Sequence, residues 1–190
     1  MADRRKAHGY NNGERMMYWN DFEQNLQVEQ TVFDLTRQSL ASIAQSSLGD
    51  EKFHCFAFNV GAADGSIMLS LATQADRREG KLYPPEWDYE VVESDVPEIA
   101  SLWRAGYAAV ETAYAQQVED FGDDFDALDA FEEGFLQSLR RVMVRLEQSN
   151  AFAVIGAEDG LWTLVTQIDA DTDEEERLLD AVRRGEDFSG

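Results

Sequence analysis

A chain of 190 residues with 44% hydrophobic content can bury one sizeable core and falls near the usual size of a single domain. Its 38 acidic residues against 16 basic ones give a formal charge of −22, a field that repels nucleic-acid phosphates and anionic lipid headgroups and favours cationic partners or plain solubility. A solitary cysteine, Cys55, excludes an internal disulfide, and no apolar run approaches the roughly 18 residues of a membrane span, so a cytoplasmic protein that binds neither nucleic acid nor membrane is expected.

Residues 1–15 carry Arg4, Arg5, Lys6 and Arg15 against Asp3 and Glu14, with Gly9, Gly13 and paired Asn11-Asn12 and no apolar periodicity. They predict a disordered leader, or sequence upstream of a start at Met16 or Met17, ahead of a single α+β domain over 16–190. A nucleic-acid arm is the less economical reading, because so few positive charges stand before so acidic a body. From Asn20, a candidate N-cap, a helix is predicted to about Ser47, with Phe22, Leu26, Phe33, Leu40 and Ile43 near one face. Strands at about 53–60 and 66–72 follow, joined by Asp64-Gly65, a pair that tolerates the positive φ of a tight hairpin. The stretch from Gln74 to Lys81 reads as polar and irregular. Tyr83-Pro84-Pro85-Glu86-Trp87-Asp88-Tyr89 then combines an imposed extended backbone with aromatic residues to bury, and should pack across the sheet or feed a short strand at 88–92.

A second helix is predicted from near Asp95 to about 118, with Pro97 in its first turn and a core stripe of Ile99, Trp103, Tyr107, Val110 and Tyr114. A loop at 119–126 leads to a third helix at 128–149, whose Phe131, Phe135, Leu139, Val142, Met143 and Leu146 form the cleanest amphipathic pattern in the chain. The passage Phe152 to Ile168 repeats the earlier hairpin signal around Asp159-Gly160, so a second hairpin is expected, and a short helix around 174–184 closes the chain. Two helix–hairpin units imply one antiparallel sheet of four or five strands covered by three main helices, since a lone hairpin is marginal. The apolar strand Leu161–Val165 has no charge or proline to block pairing, so a helix, the proline segment or another molecule must cover it; charge repulsion favours a monomer over a homodimer.

The chemistry-bearing residues are sparse. His8 and His54 are the two histidines, and His54 and Cys55, as strand neighbours, point to opposite faces and form no dyad. Cys55 itself reads as a core thiol. Asp169, Asp171 and Asp173 resemble the start of a calcium loop, but Glu174 stands where that loop needs glycine, and Thr172 or Asp173 reads more economically as a helix N-cap. Asp120, Asp123, Asp124 and Asp126, interleaved with Phe121 and Phe125, describe either a helix-to-helix loop pinned by two phenylalanines or an acidic surface for a basic protein. No glycine-rich phosphate loop and no paired Cys/His zinc spacing occurs.

The segment Pro84-Pro85-Glu86-Trp87-Asp88-Tyr89-Glu90, between an aromatic hairpin and a long helix, resembles the Pro-x-Glu-Trp-x-Tyr segment of a bacterial domain-of-unknown-function family numbered four-three-zero-three. The resemblance would span residues 20–184 and implies association with toxin–immunity loci; it supplies no catalytic residues. The resulting expectation is a non-enzymatic acidic binding protein, a toxin-neutralising immunity factor, without a cofactor or resident metal. Its partner is a cationic protein that meets Asp120, Asp123, Asp124, Asp126, Trp87 and Tyr89. The alternative is an enzyme using the clustered carboxylates with a metal or a small molecule.

Overall fold

The computed structural model describes residues 12–167 and 170–186, with the side chains of residues 12–18 and of Glu158 and Asp159 excepted. Most of the expected leader therefore lies outside the described residues. The first helix, α1 (Asn12–Leu26), begins upstream of the Asn20 cap and takes in residues 12–15. A second, α2 (Val28–Gln45), follows it, where a single helix was expected. The break is Gln27, which adopts a left-handed backbone with φ 52 and makes no side-chain cap, so the chain turns before Val28, Val32, Leu40 and Ile43 enter the core.

The first hairpin forms as its sequence predicts. Strands β1 (Phe53–Gly61) and β2 (Ser66–Thr73) pair antiparallel, and Gly65 takes φ +74 in the turn. Helix α5 (Pro97–Phe121) holds that turn, because the hydroxyls of Tyr107 and Tyr114 donate to the carbonyls of Gly65 and Ala62. A Cβ on Gly65 would lie 2.6 Å from the Tyr114 ring, so both the backbone and the packing demand glycine. Between β2 and α5 come two short helices, α3 (Gln74–Glu79) and α4 (Val92–Asp95). α3 replaces the irregular stretch expected there; it starts on a reciprocal Thr73–Asp76 capping box. In place of a short strand at 88–92, Tyr89 makes one bridge to Leu71.

The second hairpin does not form. After α6 (Phe125–Gln148), residues 151–154 make a single 3-10 turn, and β3 (Ala157–Gln167) is one strand running parallel to β1. The sheet is three-stranded and mixed, in the order β2-β1-β3, rather than antiparallel with four or five strands. The cause is topological. β2 already occupies one edge of β1, and α5 and α6 run out and back on one face, returning the chain to the end where β1 begins. The next strand then pairs on the free edge in the direction of β1, as helical crossovers require. The Asp159-Gly160 pair, with Gly160 at φ +82, sits in a bulge where Phe53 and Cys55 oppose Ala157 and Trp162, and not in a hairpin turn. Gly156 admits the incoming chain: its carbonyl accepts from Phe53 N–H at 3.2 Å, and a Cβ there would lie 2.1 Å from the carbonyl oxygen of Glu51.

The sheet has two unlike faces. Phe56, Phe58 and Val60 of β1 join Leu69, Leu71 and Val165 under α1, α2, α5 and α6, and a bulge at His54 turns Phe53 to the same side. The opposite face carries Cys55, Ala57, Ala72 and Leu164, covered by Trp87. The last helix, α7 (Thr172–Arg183), lies along the β3 edge: Trp162 donates to Glu176 and Arg183 to Thr163, and these neighbouring strand residues point to opposite faces. Arg140 of α6, 1% exposed, ties α7 down through Glu175 at 2.9 Å and reaches Glu133 at 2.8 Å. Among the described residues, no helix is long and apolar enough to cross a membrane.

Candidate functional site

The acidic segment is a three-residue turn between two long helices. Phe121 ends α5, Gly122 carries a positive φ, and Asp124 caps α6 by accepting from Ala127 N–H at 3.2 Å. Asp120 accepts from Gln116, and Asp123 and Asp126 are exposed. No lysine or arginine among the described residues pairs with Asp120, Asp123 or Asp124. Of the two phenylalanines expected to pin the turn, Phe121 packs its ring 5.4 Å from Phe131, whereas Phe125 is 68% exposed. The turn therefore presents an aromatic ring among carboxylates.

The other expected contact residues sit elsewhere. Trp87 packs into the sheet face remote from α5 and α6 and is 4% exposed, and Tyr89 is half-buried at the β2 edge with its ring against Phe53. Neither is presented outward as a partner surface; the outward residues there are Leu82, Tyr83, Pro85, Glu86 and Asp88. The segment is held by Asp76, whose carboxylate is fully buried and accepts from Thr73 N–H, the Thr73 hydroxyl, Asp88 N–H and Lys81. Burial alone would raise the Asp76 carboxyl, but these donors, Lys81 foremost, hold it below the ordinary range. Lys81 also bridges Asp88 and Glu79, so one cation gathers three carboxylates and fixes the chain on both sides of the prolines.

Beneath the prolines is a cleft that sequence reasoning missed. It encloses about 340 Å³ and is lined by Asn59 of β1, Thr166 and Gln167 of β3, Ala170, and the strap Tyr83-Pro84-Pro85. It opens at the carboxyl ends of the parallel pair β1 and β3, the end at which open α/β sheets hold ligands. Asn59 is 2% exposed, and its Nδ2 finds no hydrogen-bond partner among the described residues. Trp87 Nε1, on the same face, is likewise unpartnered, whereas Trp19, Trp103 and Trp162 donate to Ser138, Ser39 and Glu176. The available signal was Asn59 itself, an amide within the otherwise apolar run Phe56 to Val60.

A second hollow, of about 360 Å³, lies between α2, α6 and α7, but its arginines are engaged. Arg141 pairs with Glu29, and Arg145 bonds Gln30 while covering the Phe33 ring at 4.3 Å. Cys55 is buried, and that burial, with Glu176 nearby, pushes its thiol well up, so it is a core thiol rather than a nucleophile. Of the calcium-like string, Asp169 lies outside the described residues and Asp171, rather than Thr172 or Asp173, caps α7 by accepting from Asp173 and Glu174 N–H. Among the described residues, no group of three His, Cys, Asp or Glu side chains is placed to hold a metal ion. Comparison with family models, curated proteins and solved structures returns no match to this chain. The resemblance of Pro84–Glu90 thus rests on that segment alone.

Proposed function

We propose that this protein is a non-catalytic acidic binding protein whose partner is a cationic protein, met at the α5–α6 turn. The observation that carries the reading is Phe125, 68% exposed at the start of α6 and flanked by Asp120, Asp123, Asp124 and Asp126. An aromatic ring ringed by charge supplies a desolvated anchor with a polar rim, the usual anatomy of a protein–protein hot spot. The overall charge of −22 adds long-range attraction, which acts on encounter rate more than on final affinity. A toxin neutralised by this chain is the partner that the Pro84–Glu90 resemblance implies, and a cytoplasmic monomer is the form that the reading assumes. The position of α7 along the β3 edge supports the monomer, because it covers the strand that would otherwise pair with a second copy.

The test is capture on immobilised protein from an extract of the source cell, with wild type and Phe125→Ser compared at low and moderate salt. A basic protein retained by wild type, eluted by salt and lost from the variant is the expected result. Equal retention by both, or no basic protein held at low salt, contradicts the proposal.

A further inference from the structure

The cleft under the proline strap has walls, a floor and an unmet hydrogen bond, and none of these is needed by the acidic turn. Its floor is polar: Asn59, Thr166 and Gln167 from the two parallel strands. The Thr166 hydroxyl donates to the Gln167 carbonyl, which leaves its lone pairs facing a ligand as acceptors. Its outer wall is flat and apolar, made of the two proline rings and the Tyr83 ring, and among the described residues no charged side chain lines it. A buried amide N–H without a partner is unfavourable, so structures leave one open where something else fills it. The volume, about 340 Å³, lies within the range of small-molecule sites.

We propose that this cleft binds a small uncharged ring that carries a carbonyl, specifically a carbonyl-bearing nucleobase or its nucleoside. The ring lies between the sheet floor and the Tyr83-Pro84-Pro85 wall, a slot that suits a plate. The base carbonyl accepts from Asn59 Nδ2, the group now unpartnered among the described residues, and a ring N–H donates to the free lone pairs of the Thr166 hydroxyl, which shares the face of Asn59. Amide side chains read base edges in this way because both present a donor and an acceptor side by side. Phosphate is disfavoured: among the described residues the lining holds no cation, and the charge of −22 opposes an anion. Adenosine, whose base has no ring N–H, can meet Asn59 Nδ2 through a ring nitrogen but loses the bond to Thr166 in this pose.

The test is titration of the full chain, labelled with nitrogen-15, with uridine, cytidine, guanosine, adenosine, uridine monophosphate and glucose, following the Asn59 side-chain NH2 resonances. A saturable shift with uridine or guanosine is expected, each of which sets a ring N–H beside a carbonyl, and binding about tenfold weaker with cytidine and adenosine, which have no ring N–H, as the loss of one buried hydrogen bond implies. Uridine monophosphate should bind more weakly than uridine, and the gap should narrow as salt rises. Asn59→Ala, followed through the backbone amides of Thr166 and Gln167, should weaken uridine binding about tenfold or more while melting no lower than wild type, since it removes an unpaired buried amide. If that variant fails to fold, Tyr83→Ala, at a half-exposed wall position, should weaken uridine binding by a similar factor. Failure of all four nucleosides to move the Asn59 resonances overturns the proposal, as does a saturable response to glucose alone or undiminished uridine binding in Tyr83→Ala.

Discussion

The two faces of the sheet are built to different standards. On the face under α1, α2, α5 and α6, the polar atoms of the aromatic residues are matched: Trp19 to Ser138, Trp103 to Ser39, Tyr107 to Gly65 and Tyr114 to Ala62. The same side carries a chain of ring contacts from Trp19 and Phe22 through Tyr114 to Phe131 and Phe135. On the other face, one indole and a 3-10 turn cover the strands, and Trp87 Nε1 and Asn59 Nδ2 are left without partners among the described residues. The helical side also buries Thr36 Oγ1 and Arg140 Nε without partners among the described residues, but its ring-borne groups are matched, and each matched group adds stability that an unmatched one forgoes. The fold is thus anchored from the helical side and left open on the strap side.

The comparison is broken most forcefully at Gly65. Gly65→Ala must place a side chain at φ +74, 2.6 Å from the Tyr114 ring, and should lose about 3 kcal/mol or more of unfolding free energy in urea. A loss below about 1 kcal/mol would show that α5 does not fix the turn. The two tryptophans sharpen the contrast. Trp103→Phe gives up a matched hydrogen bond as well as volume and should cost about 2 kcal/mol, whereas Trp87→Phe removes an unmatched N–H and should cost about half as much or less. Equal losses in the same denaturation experiment would erase the distinction between the faces.

The smallest effect is expected at Glu93, where the faces meet at the β2 edge. Its Oε1 accepts weakly from Leu69 N–H at 3.4 Å, and Oε2 is buried without a partner among the described residues. Burial raises its carboxyl above the ordinary glutamate value. A folded-state pKa above the unfolded one means that the folded chain holds the proton more tightly, so stability falls as pH rises from the unfolded value through the folded one. Glu93→Gln should therefore match wild type below about pH 4 and be more stable by about 1 kcal/mol at pH 7, measured by melting across that range. A variant less stable at pH 7 would mean that the charge is held by contacts stronger than those described.

Much of the helical side was legible in the sequence, because a 3.6-residue stripe such as Ile99, Trp103, Tyr107, Val110 and Tyr114 reports directly which face is buried. The break at Gln27 was not, since glutamine carries no signature of a left-handed turn. The second Asp-Gly pair was misread for a physical reason: the pair marks a place that tolerates positive φ, and a bulge inside a long strand uses that tolerance as well as a hairpin does. Direction of pairing was out of reach, because it depends on how α5 and α6 return the chain. Of the candidate sites, the acidic turn was legible as composition, but its exposed ring was not, and Phe121 and Phe125 look alike until one packs on Phe131. The cleft is assembled from Asn59, Tyr83 and Thr166, which no local pattern brings together.

The claim that recognition is centred on the α5–α6 turn is tested most directly by titrating the nitrogen-15-labelled protein with a defined arginine-rich peptide at moderate salt and mapping the amide shifts. The account predicts that the shifts concentrate on residues 119–127, with Phe125 among the largest, and that they exceed those at the first turn of α7, where Glu174 and Glu175 are paired with Arg177 and Arg140. Shifts spread evenly over both acidic turns, or largest at α7, would contradict it.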